Sequence, residues 1–204
     1  MIIGITGGSG SGKTAFIKEL RSRFAENQLA IISEDNYYKP RNQQFEDPNG
    51  VLNFDIPDAI DEQRLINDVK SLLDGQTVVL REYTFNNDLA TPKQIEVFPA
   101  PVLIVEGLFI LHRPLVRSLL NLSILIHARD ELKLIRRIKR DQQERNYPLE
   151  DVLYRYQYHV SPAYQQFIQP YLDKIDLTIH NNDHFGIGVE IISSYILSKL
   201  EANK

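Results

Sequence analysis

Near the start of the chain, Gly7, Gly8, Ser9, Gly10, Ser11, Gly12, Lys13 and Thr14 read GGSGSGKT, satisfying the pattern G-x-x-x-x-G-K-[ST]. An apolar, β-type run from Ile2 to Thr6 precedes them and a helical pattern from Ala15 to Phe24 follows. Glycines at this spacing let the backbone wrap so that successive N–H groups converge on a β-phosphate. The following helix presents its positive end to the same anion. Lys13 then reaches the β and γ oxygens and the Thr14 hydroxyl is a ligand for magnesium. ATP or another nucleoside triphosphate, with Mg2+, is the cofactor pair these residues call for. A flexible glycine loop without ligand is the plain alternative, which the strand–loop–helix context disfavours.

Two carboxylates stand at the ends of apolar runs: Asp35 after Ala30–Ser33, and Glu106 after Val102–Val105. In a doubly wound sheet the carboxyl ends of the strands share one edge with the phosphate loop, so both acids are expected to face the triphosphate. Phosphoryl transfer to an alcohol needs a base for the hydroxyl proton and oxygen ligands for the metal. Asp35 is read as the base and Glu106 as the metal-side carboxylate; taken singly, each could merely cap a loop.

The segment DELKLIRRIKRDQQER carries Leu132, Ile135 and Ile138 on one helical stripe and Lys133, Arg137, Arg140 and Glu144 on another. The expectation is that one side packs while the other carries positive charge. Such a face is ordinarily solvated, but beside a phosphate site Arg137, Arg140 and Arg145 can serve as lid residues that neutralise developing charge and exclude water.

The elements that must position these groups alternate α and β. Apolar β-type runs recur at Ile2–Thr6, Leu29–Ser33, Val78–Tyr83, Gln94–Phe98, Val102–Val105, Ser123–Ile126 and Ile175–Ile179, with helical patterns between most of them. The fold class expected is α/β: a P-loop, three-layer α/β/α arrangement on a central parallel sheet, with an antiparallel ribbon at about 77–98 and a helical lid at about 132–148, in one domain spanning 1–204. The helical pattern ending at Leu73 has Asp58 or Asp61 as candidate cap and Gly75 as stop. Ser161-Pro162 reads as the start of a separate helix, Ile187–Leu200 as a terminal helix, and Pro40–Gly50 as a polar, mobile surface loop.

The chain has 204 residues, 43% hydrophobic and 25% charged, with a formal net charge of −4 and no cysteine. That length supports a real core without disulfides. Lack of cysteine removes thiol chemistry and suits a reducing cytoplasm. No leader and no apolar run near the ~20 residues of a membrane span is visible, so a soluble cytoplasmic protein without membrane or nucleic-acid partners is expected. Tyr154, Tyr156, Tyr158 and Tyr164 are read as core or subunit contacts rather than base-stacking groups. GTPases and oligomeric motors fit less well than a metabolite kinase, because no Asn-Lys-x-Asp segment occurs and there is little room for sensor elements.

The sequence resembles the uridine/cytidine kinase family over nearly its whole length. The matching pieces are GGSGSGKT, SEDNYYKP (Ser33–Pro40), NFDIPDAID (Asn53–Asp61), YTF (Tyr83–Phe85), VEGLF (Val105–Phe109) and RRIKRDQQER (Arg136–Arg145). The resemblance implies that Asp35 is the base and that Thr14 and Glu106 serve magnesium with Asp35 close by. It also implies that Asp55 holds the ribose hydroxyls, that Tyr38 and Tyr83 line the nucleoside pocket, and that Arg137, Arg140 and Arg145 contact phosphate or substrate. It further implies a homo-oligomer, a tetramer or dimer, making a nucleoside 5′-monophosphate.

Departures from the family pattern fall where the base is read. A histidine is replaced by Asp88, an aspartate by Thr84, a histidine by Ile56, a lid arginine by Tyr147 and a glutamine by Arg155. An ionised Asp88 only accepts hydrogen bonds, which suits the amine of cytidine and repels the carbonyl of uridine. The expected acceptor is therefore cytidine before uridine, or another small alcohol. A nucleotide-binding regulator without acceptor chemistry is the rival reading from a different class.

Overall fold

The computed structural model describes residues 1–85 and 91–202; Asp88 lies outside the described residues. In chain order the elements are β1 (Ile2–Thr6), α1 (Lys13–Arg21), β2 (Leu29–Ser33), β3 (Phe45–Glu46), β4 (Leu52–Asn53), α2 (Glu62–Leu73), β5 (Val78–Arg81), β6 (Gln94–Val97), β7 (Val102–Glu106), α3 (Pro114–Leu119), β8 (Leu122–His127), α4 (Asp130–Glu144), α5 (Leu149–Arg155), α6 (Ser161–Ala163), β9 (Leu177–His180) and α7 (Gly186–Ala202). The main sheet is five-stranded and parallel, in the order β2-β7-β1-β8-β9. β1 is fully buried between β7 and β8, which is why its run IIGIT shows no polar alternation.

Alternate strand residues feed two cores, one on each face of the sheet. Ile2, Ile32, Leu103 and Val105 pack with Leu65, Ile66, Val69 and Leu72 of α2. On the opposite face Ile3, Ile5, Ile104, Ile124 and Ile126 pack with Phe16 and Leu20 of α1 and Val189, Ile192 and Ile196 of α7. This is the three-layer α/β/α arrangement expected from the alternating pattern. β5 and β6 form a separate antiparallel ribbon, Val78 opposite Val97 and Arg81 opposite Gln94. Asp61 caps α2, its side chain accepting the Arg64 N–H, and Gly75 (φ 79) turns the chain beyond the helix end.

Two expectations are corrected. Pro40–Gly50 is not a plain loop: residues 41–43 form a 3-10 turn and β3 pairs with β4 as a small hairpin. The Asp47 carboxylate organises it, Oδ1 accepting the N–H groups of Asn49 (2.9 Å) and Val51 (3.0 Å). Ser161-Pro162 does not start a new helix either. Helical backbone runs on through it, because π-type turns at 156–160 and 164–168 flank the proline, with Ser161 N–H donating to Tyr156 O and Gln169 N–H to Tyr164 O. Widening the helix relieves the clash and the lost donor that proline brings to an α-helical interior.

The widened helix brings His159 and Tyr154 onto the hairpin. Asp47 Oδ2 accepts from the Tyr154 hydroxyl and from His159 Nε2, both at 2.7 Å, while Arg155 Nη1 donates to Leu52 O at 2.7 Å. Burial works against ionisation of Asp47, but hydrogen bonds from Val51, Tyr154, His159 and Asn49 outweigh it and hold the carboxyl well below the usual range. A depressed carboxylate stabilises the fold above its unfolded pKa and loses that contribution as pH falls through the folded value. The stability difference between wild type and Asp47→Asn, measured by denaturant unfolding, is therefore expected to be full above about pH 5 and to close toward pH 2. A pH-independent difference would refute the assignment.

Candidate active site

Every feature singled out in the sequence for phosphate chemistry lies along the carboxyl edge of the main sheet. The loop 7–12 leaves β1 and enters α1, tied by Ser11 N–H to Gly8 O at 3.0 Å and Phe16 N–H to Gly12 O at 3.0 Å. Gly10 (φ 81) and Gly12 (φ 96) need glycine on two counts. Both sit in left-handed backbone, and a Cβ would lie 2.3 Å from Lys133 O at Gly10 and 2.2 Å from Asn181 Nδ2 at Gly12. The loop is therefore clamped between α4 and the segment after β9, with Asn181 Nδ2 donating to Ser11 O at 2.8 Å. Tyr164 packs its ring over Gly8, and Lys133 Nζ sits 4.3 Å from the centre of that ring.

Lys13 Nζ donates to Gly7 O at 2.9 Å, folded back over the loop it serves. Burial lowers its pKa, while Glu106 and Asp35 pull the other way. Asp35 stands on a 3-10 turn at Glu34–Tyr37 directly after β2, and Glu106 is the last residue of β7, paired in register with Ser33. Ser33 joins the two acids: its hydroxyl donates to Glu106 Oε1 and accepts the Asp35 N–H at 3.3 Å. Burial and then the charge of Asp35 push the Glu106 carboxyl up to about 7, against the pull of Lys13 and the Ser33 hydrogen bond.

One cavity of about 350 Å³ joins this acidic end to an aromatic one. Lys13, Thr14, Asp35 and Glu106 line it on the phosphate side; Tyr38, Phe54, Tyr83 and Phe85 line it on the other, with Asp55 in its wall. Tyr38 and Tyr83 rings lie 4.7 Å apart, and Phe54 and Phe85 meet Tyr38 edge-on at 5.9 and 6.2 Å. Three guanidinium groups stand over rings of this chamber: Arg145 over Phe85 (3.7 Å), Arg155 over Tyr147 (5.2 Å) and Arg41 over Phe54 (5.8 Å).

On α4 the apolar stripe is not the buried one, contrary to expectation. Lys133, Arg137 and Asp141 are the buried positions, at 6%, 6% and 2% exposure, while Ile135 is 48% exposed. The cationic stripe faces the phosphate loop: Arg137 Nη1 donates to Ser9 Oγ at 2.9 Å and Arg140 Nη2 reaches it at 3.4 Å. Arg137 also pairs with Asp55 at 3.5 Å. These cations are kept inside by Asp141, whose carboxylate meets Arg137 Nε (3.1 Å), Arg140 Nε (2.9 Å) and Arg145 Nη1 (3.4 Å).

Ser33, Asp141 and Arg136 were not singled out as site residues from the sequence. Arg136 donates to the carbonyls of Asn181 (2.9 Å) and Asn182 (3.2 Å) and lines the cavity. Asp141 had a legible signal, lying four residues from both Arg137 and Arg145; the bond from Ser33 to Glu106 had none, since the two lie 73 residues apart in the chain. Among the described residues no three His, Cys, Asp or Glu side chains converge into a metal-binding cluster. Asp35, Glu106 and Thr14 instead offer hard oxygen donors to the cavity that Gly12 and Lys13 of the phosphate loop also line, a donor set suited to magnesium carried with a nucleotide. No helix among the described residues is long and apolar enough to cross a membrane.

A family model described as "Phosphoribulokinase / Uridine kinase family" matches residues 2–184. A uridine kinase of Streptococcus thermophilus is 32% identical over 100% of this chain and 97% of that protein, and one of Clostridium botulinum is 34% identical over 98% of both. Among solved structures, that of a possible uridine kinase from Bacillus stearothermophilus matches with a TM-score of 0.55 at 17% identity, covering 87% of each chain. The last comparison bears on the fold alone.

Proposed function

Because the chain belongs to the phosphoribulokinase/uridine kinase family, a group of P-loop kinases acting on alcohols, we propose that it transfers the γ-phosphoryl group of ATP to the 5′-hydroxyl of a pyrimidine nucleoside. The observation that carries this reading is the single cavity in which the Lys13–Thr14 cradle opens onto the ring-lined chamber, with Asp35 on the phosphate side and Asp55 in the wall.

In this reading Asp35 accepts the proton of the substrate hydroxyl as that oxygen bonds to the γ-phosphorus. The bond from the γ-phosphorus to the bridging oxygen breaks, and ADP leaves with the electron pair. Lys13, Arg137 and Arg140 balance charge on the transferred group, and Arg145 closes the chamber with Phe85. Magnesium, held by Thr14 and Glu106 with Asp35 nearby, would neutralise the phosphate oxygens. Asp55 accepts from the ribose hydroxyls, and Tyr38 and Tyr83 hold the base between rings.

Cytidine is the favoured acceptor, on the strength of Asp88 in the sequence. A coupled assay with ATP, magnesium, cytidine and uridine tests this: a higher kcat/KM for cytidine is expected, and equal values would defeat the preference. A second reading, an alcohol bearing a phosphate or carboxylate, is favoured by the placement of Arg41, Arg145 and Arg155 in the acceptor chamber. Sugar phosphates and hydroxy acids therefore belong in the same panel. Turnover of one of these without nucleoside turnover would replace the first reading. ATP binding with no acceptor turned over would leave a nucleotide-binding regulator.

A further inference from the structure

We infer that Arg113 is a positioning residue for Asp35: acting through Glu34, it locks together the three acid-bearing segments of the site. The inference rests on the reading of Asp35 as the base and adds to it a device that the reading does not contain.

Asp35 stands on a turn of only four residues, Glu34–Tyr37. So short a 3-10 turn has too few internal hydrogen bonds to hold itself, and its direction must be set from outside. With three residues per turn, neighbouring side chains diverge by about 120°. Asp35 therefore faces the cavity while Glu34 points into the protein, where it is 1% exposed. Glu34 Oε2 accepts the Phe109 N–H and Oε1 accepts Arg113 Nε, both at 2.9 Å. The carboxylate lies so close to the chain after Glu106 that a Cβ on Gly107 would be 2.4 Å from Glu34 Oε2.

Arg113 is among the largest fully buried side chains of the protein. Its remaining nitrogens reach two further segments: Nη2 donates to Pro57 O at 3.2 Å, two residues beyond Asp55, and Nη1 meets Glu62 Oε2 at 3.0 Å in the first turn of α2. One guanidinium thus ties the Asp35 turn to the backbone that follows Asp55. Through Glu34 it also ties both to the segment that follows Glu106. Stability alone is a poor reason for such a group, since a buried ion pair is commonly no better than an apolar pair of similar volume. What apolar side chains cannot supply is direction, and the planar fork of arginine fixes several partners at set angles.

The test uses the full chain carrying Glu34→Gln with Arg113→Met, which removes both charges so that neither is left stranded; Glu62, 45% exposed, stays solvated. Wild type is first assayed across the acceptor panel, which by itself decides the proposed function. On whichever alcohol is turned over, the double variant is expected to lose kcat about 100-fold, while KM for ATP moves less than about threefold. Arg113→Lys, which keeps the charge without the fork, should lie between. A folded double variant with kcat within about threefold of wild type overturns the inference.

A second readout needs no acceptor. Amide hydrogen exchange at Asn36–Tyr38 in the unliganded protein is expected to be about tenfold faster in the variant, with the midpoint of global unfolding little changed. Unaltered protection there also overturns the inference, even if every nucleoside fails as a substrate. Should the double variant not fold, Arg113→Lys carries both measurements.

Discussion

Asp35→Asn is expected to lower kcat by about 10³-fold, the middle of the range for removing a general base. The amide keeps the size of the side chain and its place on the turn after β2, but it cannot take a proton. Nucleotide affinity, measured by calorimetry with ATP, should stay close to wild type, because Lys13 and the loop 7–14 are untouched. The magnesium dependence of the residual rate separates the two roles proposed for this carboxylate. An unchanged requirement assigns it to proton transfer, and a marked rise assigns it to the metal. Activity within a few-fold of wild type would remove Asp35 from the mechanism.

Asp141→Asn is the second large effect. In the folded protein its carboxylate, 3% exposed, is the shared counter-charge of Arg137, Arg140 and Arg145. Loss of one charge from a buried ionic network commonly costs about 3–5 kcal/mol, because the remaining partners are left desolvated and uncompensated. The rearranged guanidinium groups should cost about 100-fold in kcat, less than the loss of an arginine finger itself. A distinguishing sign is expected in thermal unfolding. ATP restores the missing negative charge, so added nucleotide should raise the unfolding midpoint of the variant more than that of wild type. An equal rise in both proteins would show that these arginines do not face the triphosphate.

How much of this was legible in advance depended on the range of the interaction. The phosphate loop between strand and helix, Gly75 beyond the end of α2 and the acids at strand ends are written within a few residues, and the structure places them there; of the two candidate caps, Asp58 and Asp61, it selects Asp61. On α4 the arginines were read as lid residues beside the phosphate site, but the apolar stripe was expected to be the side that packs. Periodicity separates two faces of a helix but does not say which face meets an anion site, and here Ile135 is exposed while Lys133 and Arg137 are buried. Proline at 162 was read by its usual preference for helix starts, which the π-type turns on either side override.

From the sequence alone came the residue types on which the proposed chemistry draws: a glycine-rich loop with Lys13 and Thr14, two acids at strand ends, and a run of cations on one helix. Those features rest on local backbone geometry and side-chain type, which short stretches of chain specify. Only the tertiary structure decided which groups meet. β7 lies between β2 and β1, which sets Ser33 against Glu106 and brings Arg113 onto Glu34, 79 residues away in the chain. Burial then makes the outcome definite, because a desolvated charge must find its partners and no local pattern announces where they will be.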